Sequence, residues 1–373
     1  MSTVIQPYRQ EHEPAVAEFN RRLRQGTADP NLVFPGRAIP RWLPYTGKSP
    51  VWNEFFVAVE EPFVRGAYGL KQEQILFRDK GMHQVACYHH SLSEGIIDKT
   101  YARVGASLVR DALARQPLLY VLGMGGFENP LPKMLKALGF SLTLVPFYFR
   151  IVHPRKFLFE MNALRSSRWR VLLMNLAAAS GTGWLAIKTV QAAARLRSRP
   201  QDFVVEEVNE FSSWADDLWS AAKGTVSMAA VRDANTLQIL YPKNDRFLTC
   251  VRVSRKSGPV GWAVVGERRK DVQKFGQMRV GSIVDCWASP EDMLPVVRGA
   301  TQTLVKSGVD LIVSNQSHSA WGRALEDSGF LKGPSTFIFA ASKKLTELLQ
   351  PLEQNKTSLH VTRADGDGLP RNF

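Results

Sequence analysis

The sequence holds only three cysteines in 373 residues, and their positions exclude several chemistries. Cys87, Cys250 and Cys286 form no C-x-x-C pair and no metal-ligand spacing, so neither a structural metal site nor a dithiol redox centre is expected. Cys87 and Cys286 lie in apolar, strand-like runs, which makes buried free thiols the expectation, and a sparse, odd count suits a reducing compartment. HEXXH, GxSxG and Walker A motifs are missing, so zincin, serine-hydrolase and P-loop chemistry have no footing. The opening MSTVIQPYRQEHEP lacks an apolar signal core, so export is not expected and a cytoplasmic location is. Charged residues make up 22% and hydrophobic residues 45%, an ordinary globular composition, and the length suits two domains or one large one.

What the sequence has in excess is base. Lys plus Arg number 48 against 34 Asp plus Glu, a net charge of +14. Such a balance favours anionic partners such as CoA phosphates, nucleic acid or an anionic membrane surface, although it also serves solubility alone.

Hydrophobic periodicity sketches the first half. A short strand at Thr3–Pro7 precedes a helix at Glu11–Arg24. Strand-like runs follow at Glu54–Glu60, Val64–Phe77 and Val85–Asp98, then a helix at Val104–Arg115. A buried strand at Leu118–Leu122, a helix at Pro132–Leu138 and a strand at Leu142–Val152 complete it. The second half repeats this order. Gly139-Phe140 is followed by Phe147 and Phe149, at +8 and +10 from the glycine, and Gly329-Phe330 by Phe337 and Phe339 at the same offsets. Upstream, Gly66-Ala67-Tyr68-Gly69 has its counterpart in Gly261-Trp262-Ala263. Two copies of one supersecondary plan account for this.

Between the copies, Val171–Ile187 carries no charge and is flanked by Arg165, Arg168 and Arg170 and by Lys188, Arg195, Arg197 and Arg199. Such a segment could pack between domains, lie on an anionic membrane through 165–199, or, at the lower length limit, span a bilayer. The expected organisation is a domain at 1–152, a basic, apolar helical linker at 153–201, a second domain at 202–345 and a disordered tail at 346–373.

Each copy, with its turn entering a helix after the third strand-like run, resembles the GNAT N-acyltransferase superfamily over about residues 3–152 and 203–342. The resemblance implies two tandem α/β domains, each a mixed, mostly antiparallel sheet flanked by helices. It further implies an acyl-CoA donor, acetyl-CoA or another, transferred directly to an amine or hydroxyl acceptor. The family's phosphate loop falls on Arg103, Val104, Gly105, Ala106 and Ser107, with Gly105 matching a family glycine while Ala102 and Ser107 depart from the pattern. A helix N-terminus with small residues suits a pyrophosphate, and it equally suits a plain helix start. Asn129 and Asn315 stand where family members contact the pantetheine arm, though asparagine there also caps helices. The second copy has Pro290-Glu291-Asp292 at its turn, two acids that would repel a pyrophosphate, so cofactor binding is expected in the first copy alone.

A general base is sought on the strand before Gly105. Strand alternation puts His90 and Glu94 on one face and His89 on the other, and each is a candidate, against the alternative of ordinary surface or core histidines. The expected partners are acyl-CoA and a small-molecule or lipid-linked acceptor in the cleft between the domains, with attachment to the inner face of the membrane as an option. An aminoacyltransferase of the FemABX kind, using aminoacyl-tRNA, and a non-catalytic binding protein with decayed GNAT domains are the alternatives.

Overall fold

The computed structural model describes residues 3–27, 32–161, 202–243, 245–268 and 275–366, together with Leu185, Thr189 and Gln191. In chain order its elements are β1 (Val4–Pro7), α1 (Glu13–Gly26), β2 (Val51–Glu60), β3 (Phe63–Phe77), β4 (Gly81–Ser93), α2 (Ala102–Arg115), β5 (Leu119–Gly123), α3 (Pro130–Ala137), β6 (Ser141–Leu144), β7 (Phe147–Ile151) and α4 (Pro154–Glu160). They continue with β8 (Val204–Val208), α5 (Ser213–Ala222), β9 (Met228–Ala230), α6 (Ala234–Leu240), β10 (Leu248–Arg255), β11 (Gly258–Arg268), β12 (Val280–Ala288) and α7 (Met293–Lys306). The last are β13 (Leu311–Asn315), α8 (Ser319–Asp327), β14 (Leu331–Gly333), β15 (Ile338–Ala341), α9 (Lys343–Leu348), α10 (Leu352–Asn355) and β16 (Leu359–His360).

The chain divides into two units. Described residues of the first fall within Met1–Leu144, Thr336–Leu352 and Asp365–Asp367, and those of the second within Val145–Ser335 and Glu353–Ala364. The first sheet runs β1-β2-β3-β4-β5-β15-β6, antiparallel except for β4 beside β5. The second runs β14-β7-β13-β12-β11-β10-β8, antiparallel except for β12 beside β13. Read from β1 and from β8, the two orders are the same, and the two Phe-x-Phe segments occupy equivalent places.

Those two segments are exchanged. Phe147–Ile151 joins the second sheet between β13 and β14, and Ile338–Ala341 joins the first between β5 and β6. The single strand expected at Leu142–Val152 is broken at Val145-Pro146 into β6 and β7. Pro146 has no N–H for a ladder and biases the residue before it, so a strand cannot run through it in the middle of a sheet. Boundaries at 152 and 345 therefore give way to 144 and 335. Within the expected tail, Leu349, Leu359, Val361 and Ala364 are buried, and β16 pairs in parallel with β9, so residues 346–366 are part of the fold. Of the expected linker, α4 is described, and nearly all of Val171–Ile187 lies outside the described residues. Among the described residues no helix is long and apolar enough to cross a membrane.

Packing follows the alternation of each strand. In the first unit α2 lays Leu108, Val109 and Ala112 on Tyr68, Leu70, Ala86, Tyr88 and Val121. On the other face α1 lays Val16, Phe19 and Leu23 on Val57, Val59, Val64 and Ala67. Each buried Leu, Val or Phe contributes about 1.5–3 kcal/mol relative to exposure. In the second unit Val296, Val297, Ala300 and Leu304 of α7 pack on Val251, Val253, Ala263 and Val265. Gly66 and Gly261 do the same work in each copy. A Cβ on Gly66 would stand 2.7 Å from Val104 in α2, and one on Gly261 would stand 2.4 Å from Val296 in α7. Only glycine lets helix and strand approach so closely.

Candidate active site

The site grows from a failure of pairing. Strands β4 and β5 are in register at Ala86↔Leu119 and Cys87↔Tyr120, where the pairing ends. Beyond that point β4 runs on to Ser93 and β5 to Gly123, so the two facing edges open into a wedge. Unpaired strand edges present backbone N–H and C=O groups to whatever enters.

A β-bulge sits on the β4 side of this wedge. Ala67 pairs with Leu92 and Gly69 with His89, so His90 and Ser91 together face the single residue Tyr68. His90 takes φ +49°, a left-handed conformation that strains any residue with a Cβ. Tyr88 and Ser91 brace the bulge through their hydroxyls, 2.6 Å apart. The strain turns the half-buried His90 ring onto that of His89, with Nδ1 atoms 2.6 Å apart and rings at 73°.

The three sequence candidates for a base separate clearly. His89 is buried, its Nε2 lies 3.1 Å from Asn53 Oδ1, and burial holds its basicity well below the ordinary value, with His90 and Lys71 adding to the effect. It is a neutral imidazole, not a solvent-facing base. Glu94 is engaged by partners. It is buried between two guanidinium groups, accepting from Arg22 Nε and, at 2.8 Å, from Arg65 Nη1. Arg65 also donates to Glu60 at 2.8 Å and lies over the rings of Phe63 and Tyr101. A carboxylate so paired ties α1, β3 and the turn after β4 together. His90 remains, at the open end of β4.

The expected phosphate loop is a helix. α2 starts at Ala102, so Gly105 is already in the i→i−4 ladder and its amide is engaged; only amides ahead of it are in the position of a helix's free N–H groups. Val104 is buried under Gly66 and belongs to the core. Ser107 turns its hydroxyl back to Arg103 O at 3.2 Å. Arg103 is exposed, and Gly105 and Ala106 are half-buried on the same first turns. Asn129 precedes α3 without capping it through its side chain; its Nδ2 donates to Met124 O at 2.7 Å instead. That bond closes the turn after β5; Gly123 at the strand's end and Met124, Gly125 and Gly126 in the turn all have positive φ.

Sequence reading missed a buried polar strip on the α1 side of the sheet. Lys71 is fully buried, donates to Asp365 O at 2.9 Å and lies 3.4 Å from Glu73. The Tyr120 hydroxyl reaches both Glu73 and Asp365 O, and burial raises its pKa far above 10, so it stays protonated. Its signal was legible: Lys71-Gln72-Glu73 interrupts an otherwise apolar strand run. Among the described residues no group of side chains could hold a metal ion.

The overall fold is matched in solved structures. Saccharomyces cerevisiae N-myristoyltransferase with bound myristoyl-CoA aligns at 10% identity and TM-score 0.55, over 92% of this chain and 79% of the yeast protein. A probable N-acyltransferase from Enterococcus faecalis V583 aligns at 9% identity and TM-score 0.52, over 94% and 75%. The fold is that of the GNAT N-acyltransferases. A GCN5-related N-acetyltransferase from Anabaena variabilis ATCC 29413 shares it at 10% identity and TM-score 0.50, over 91% of this chain and 72% of that one. No family model and no curated protein matches the sequence. The GNAT likeness is one of architecture: two mixed, mostly antiparallel sheets flanked by helices, with the parallel pairs β4–β5 and β12–β13 at equivalent places in the two strand orders.

Proposed function

We propose that the protein is an acyl-CoA-dependent acyltransferase whose donor lies in the β4–β5 wedge of the first unit. The observation that carries this reading is the wedge itself, opened after Cys87 and Tyr120 beside the His90 bulge. A pantetheine arm is an extended chain with two amides, and it can complete the unpaired edges as an added strand would. Its pyrophosphate would lie toward the first turn of α2, where a helix dipole and Arg103 favour negative charge. The net charge of +14 supports attraction of an anionic donor. An amine or hydroxyl on a small molecule or a lipid-linked carrier would be the acceptor, and the enzyme would work in the cytoplasm, with contact to the membrane's inner face as a further part of the reading. The acyl-CoA reading is preferred over aminoacyl-tRNA because a narrow, extended arm would suit the two unpaired strand edges.

Calorimetry with acyl-CoAs from acetyl to myristoyl tests this. Saturable binding to at least one of them is expected. In Gly105→Asp a new carboxylate would stand by the phosphates, and the fold should hold, because the nearest atom to an added Cβ is Ser93 Cβ at 4.0 Å. Affinity should fall tenfold or more, through like charge alone. Silence across the whole series, or binding of charged tRNA instead, would overturn the reading.

A further inference from the structure

Four polar groups in the first unit fix one another's protons. The carbonyl of Trp42 can only accept, and Asn53 Nδ2 donates to it at 3.1 Å. That fixes the amide orientation, so the atom facing His89 Nε2 at 3.1 Å is the Asn53 oxygen, again an acceptor. His89 Nε2 must therefore carry a proton. A neutral imidazole has one N–H, so His89 Nδ1 holds a lone pair. The His90 Nδ1 atom lies 2.6 Å away, and two lone pairs do not face each other at that distance. His90 Nδ1 is consequently the donor. In neutral His90 the ring's basic lone pair then resides on Nε2.

We propose that Asn53 and His89 are positioning residues that hold His90 in its Nδ1–H tautomer, and that His90 Nε2 is the atom that takes the acceptor's proton during acyl transfer. This rests on the acyltransferase reading above. In the step, the acceptor nitrogen or oxygen attacks the thioester carbonyl carbon while its proton passes to His90 Nε2. The tetrahedral adduct then collapses, the C–S bond breaks with its electron pair on sulfur, and the proton on Nε2 passes to that thiolate. The acylated acceptor and CoA thiol are the products, and no further reactant enters. When His90 is charged, its Nδ1–H still points at the His89 lone pair, so the same contact holds the imidazolium and strengthens as charge develops.

The surroundings are built for this arrangement. Gly69, opposite His89 in the ladder, is the only residue type that fits: a Cβ there would stand 2.6 to 3.1 Å from three atoms of the His89 ring. The bulge and the left-handed φ of +49° aim His90 back over its neighbour. A core histidine that merely needed a hydrogen bond would require neither the strain at residue 90 nor the vacancy at residue 69. The acidic orienter common in such relays is replaced by an amide, which fixes a tautomer without adding charge beside the buried ring.

Nitrogen-15 NMR of histidine-labelled, full-length protein at neutral pH reads the tautomers directly. His89 is expected as the Nε2–H form and His90 as the Nδ1–H form. Asn53→Ala should scramble both assignments and lower kcat about 10- to 100-fold while leaving the KM for acyl-CoA within about twofold. His90→Gln should lower kcat by roughly 10²–10⁴, the range for losing a general base, with acyl-CoA affinity by calorimetry unchanged. An Nε2–H tautomer at neutral His90 in the unaltered protein, or a full kcat in His90→Gln, overturns the inference and leaves the donor reading standing. Loss of the donor reading shows up separately, as wild-type calorimetry without acyl-CoA binding, and takes the role of Nε2 with it.

Discussion

In the first unit β4 leaves β5 after two paired residues, whereas in the second β12 stays beside β13 for four, from Val280↔Leu311 to Ile283↔Ser314. Both β4 and β12 carry a bulge, and both lead into a helix that packs over an equivalent glycine. Counting back three residues from the partner of that glycine reaches His90 from Ser93 and Asp285 from Ala288. His90 is half-buried and strained. Asp285 is fully buried and saturated: it accepts from Arg232 Nε at 2.8 Å, Tyr241 at 2.7 Å, Thr362 at 3.3 Å and the Cys286 amide at 3.0 Å. The helix starts differ as well. In the second unit Asp292 is tied to Arg255 at 2.7 Å, and Glu291 beside it adds negative charge. One strand plan thus serves a strained, open edge in one copy and a locked, closed one in the other. Strain concentrates where a site must hold an unusual geometry, and saturation where a scaffold must not move.

Asp285→Ala should give the largest effect. It would leave the Arg232 guanidinium, 1% exposed, without its carboxylate, and breaking such a buried pair costs about 3–5 kcal/mol. Urea unfolding would read it, and a loss under about 1 kcal/mol would show that the second copy is not locked as described. Glu94→Gln comes next, at about 2–3 kcal/mol, because it removes charge from between Arg22 and Arg65. If Glu94 were the catalytic base, this variant would abolish turnover in protein that remains folded; a structural Glu94 predicts retained turnover per folded molecule. The position-matched variant, His90→Gly, should have the opposite sign. Glycine accepts the left-handed backbone, so stability should rise by about 1 kcal/mol while transfer is lost. A destabilised His90→Gly would mean that the ring's packing outweighs the strain.

Much of this architecture was legible because it rests on periodicity. The glycine offsets and the paired Phe-x-Phe segments revealed the repeat, and alternation placed β2, β3 and β4. The exchange of β7 and β15 was not legible, since identical strand patterns suit either sheet and only the break at Val145-Pro146 hints that the chain leaves one for the other. His89 and His90 stood out as side chains, but their division of labour depends on Asn53, 36 residues upstream, and on a missing Cβ at Gly69. Strict alternation put His90 and Glu94 on one face; the bulge between them shifts that register, which is why Glu94 turned inward to Arg22 and Arg65. A motif comparison singled out Gly105, yet which amides of α2 are engaged depends on where the helix begins, which spacing alone does not fix.

The most gradual expected effect comes from pH. His89 is buried in the first unit, and burial, then His90 from the bulge and Lys71 from β3, holds its folded pKa well below 6.5. As pH falls through 6.5 the unfolded chain takes up a proton at this residue that the folded chain refuses. Stability is therefore fully present above 6.5 and is lost as pH drops toward the lower folded value, by up to about 1.4 kcal/mol for each pH unit crossed. Carboxylates held low by partners, Asp98 and Asp310, begin to act only below their ordinary 3.8, so the window from 6.5 to 5 is free of them. In His89→Gln the amide can still face Asn53, and the proton-linked slope of this one residue disappears. The difference between the two proteins, followed by urea unfolding at half-unit steps from pH 7.5 to 5, should open steadily below 6.5 and be constant above it. Parallel curves across that range would mean that His89 is protonated as easily folded as unfolded, and the neutral relay that orients His90 would not exist.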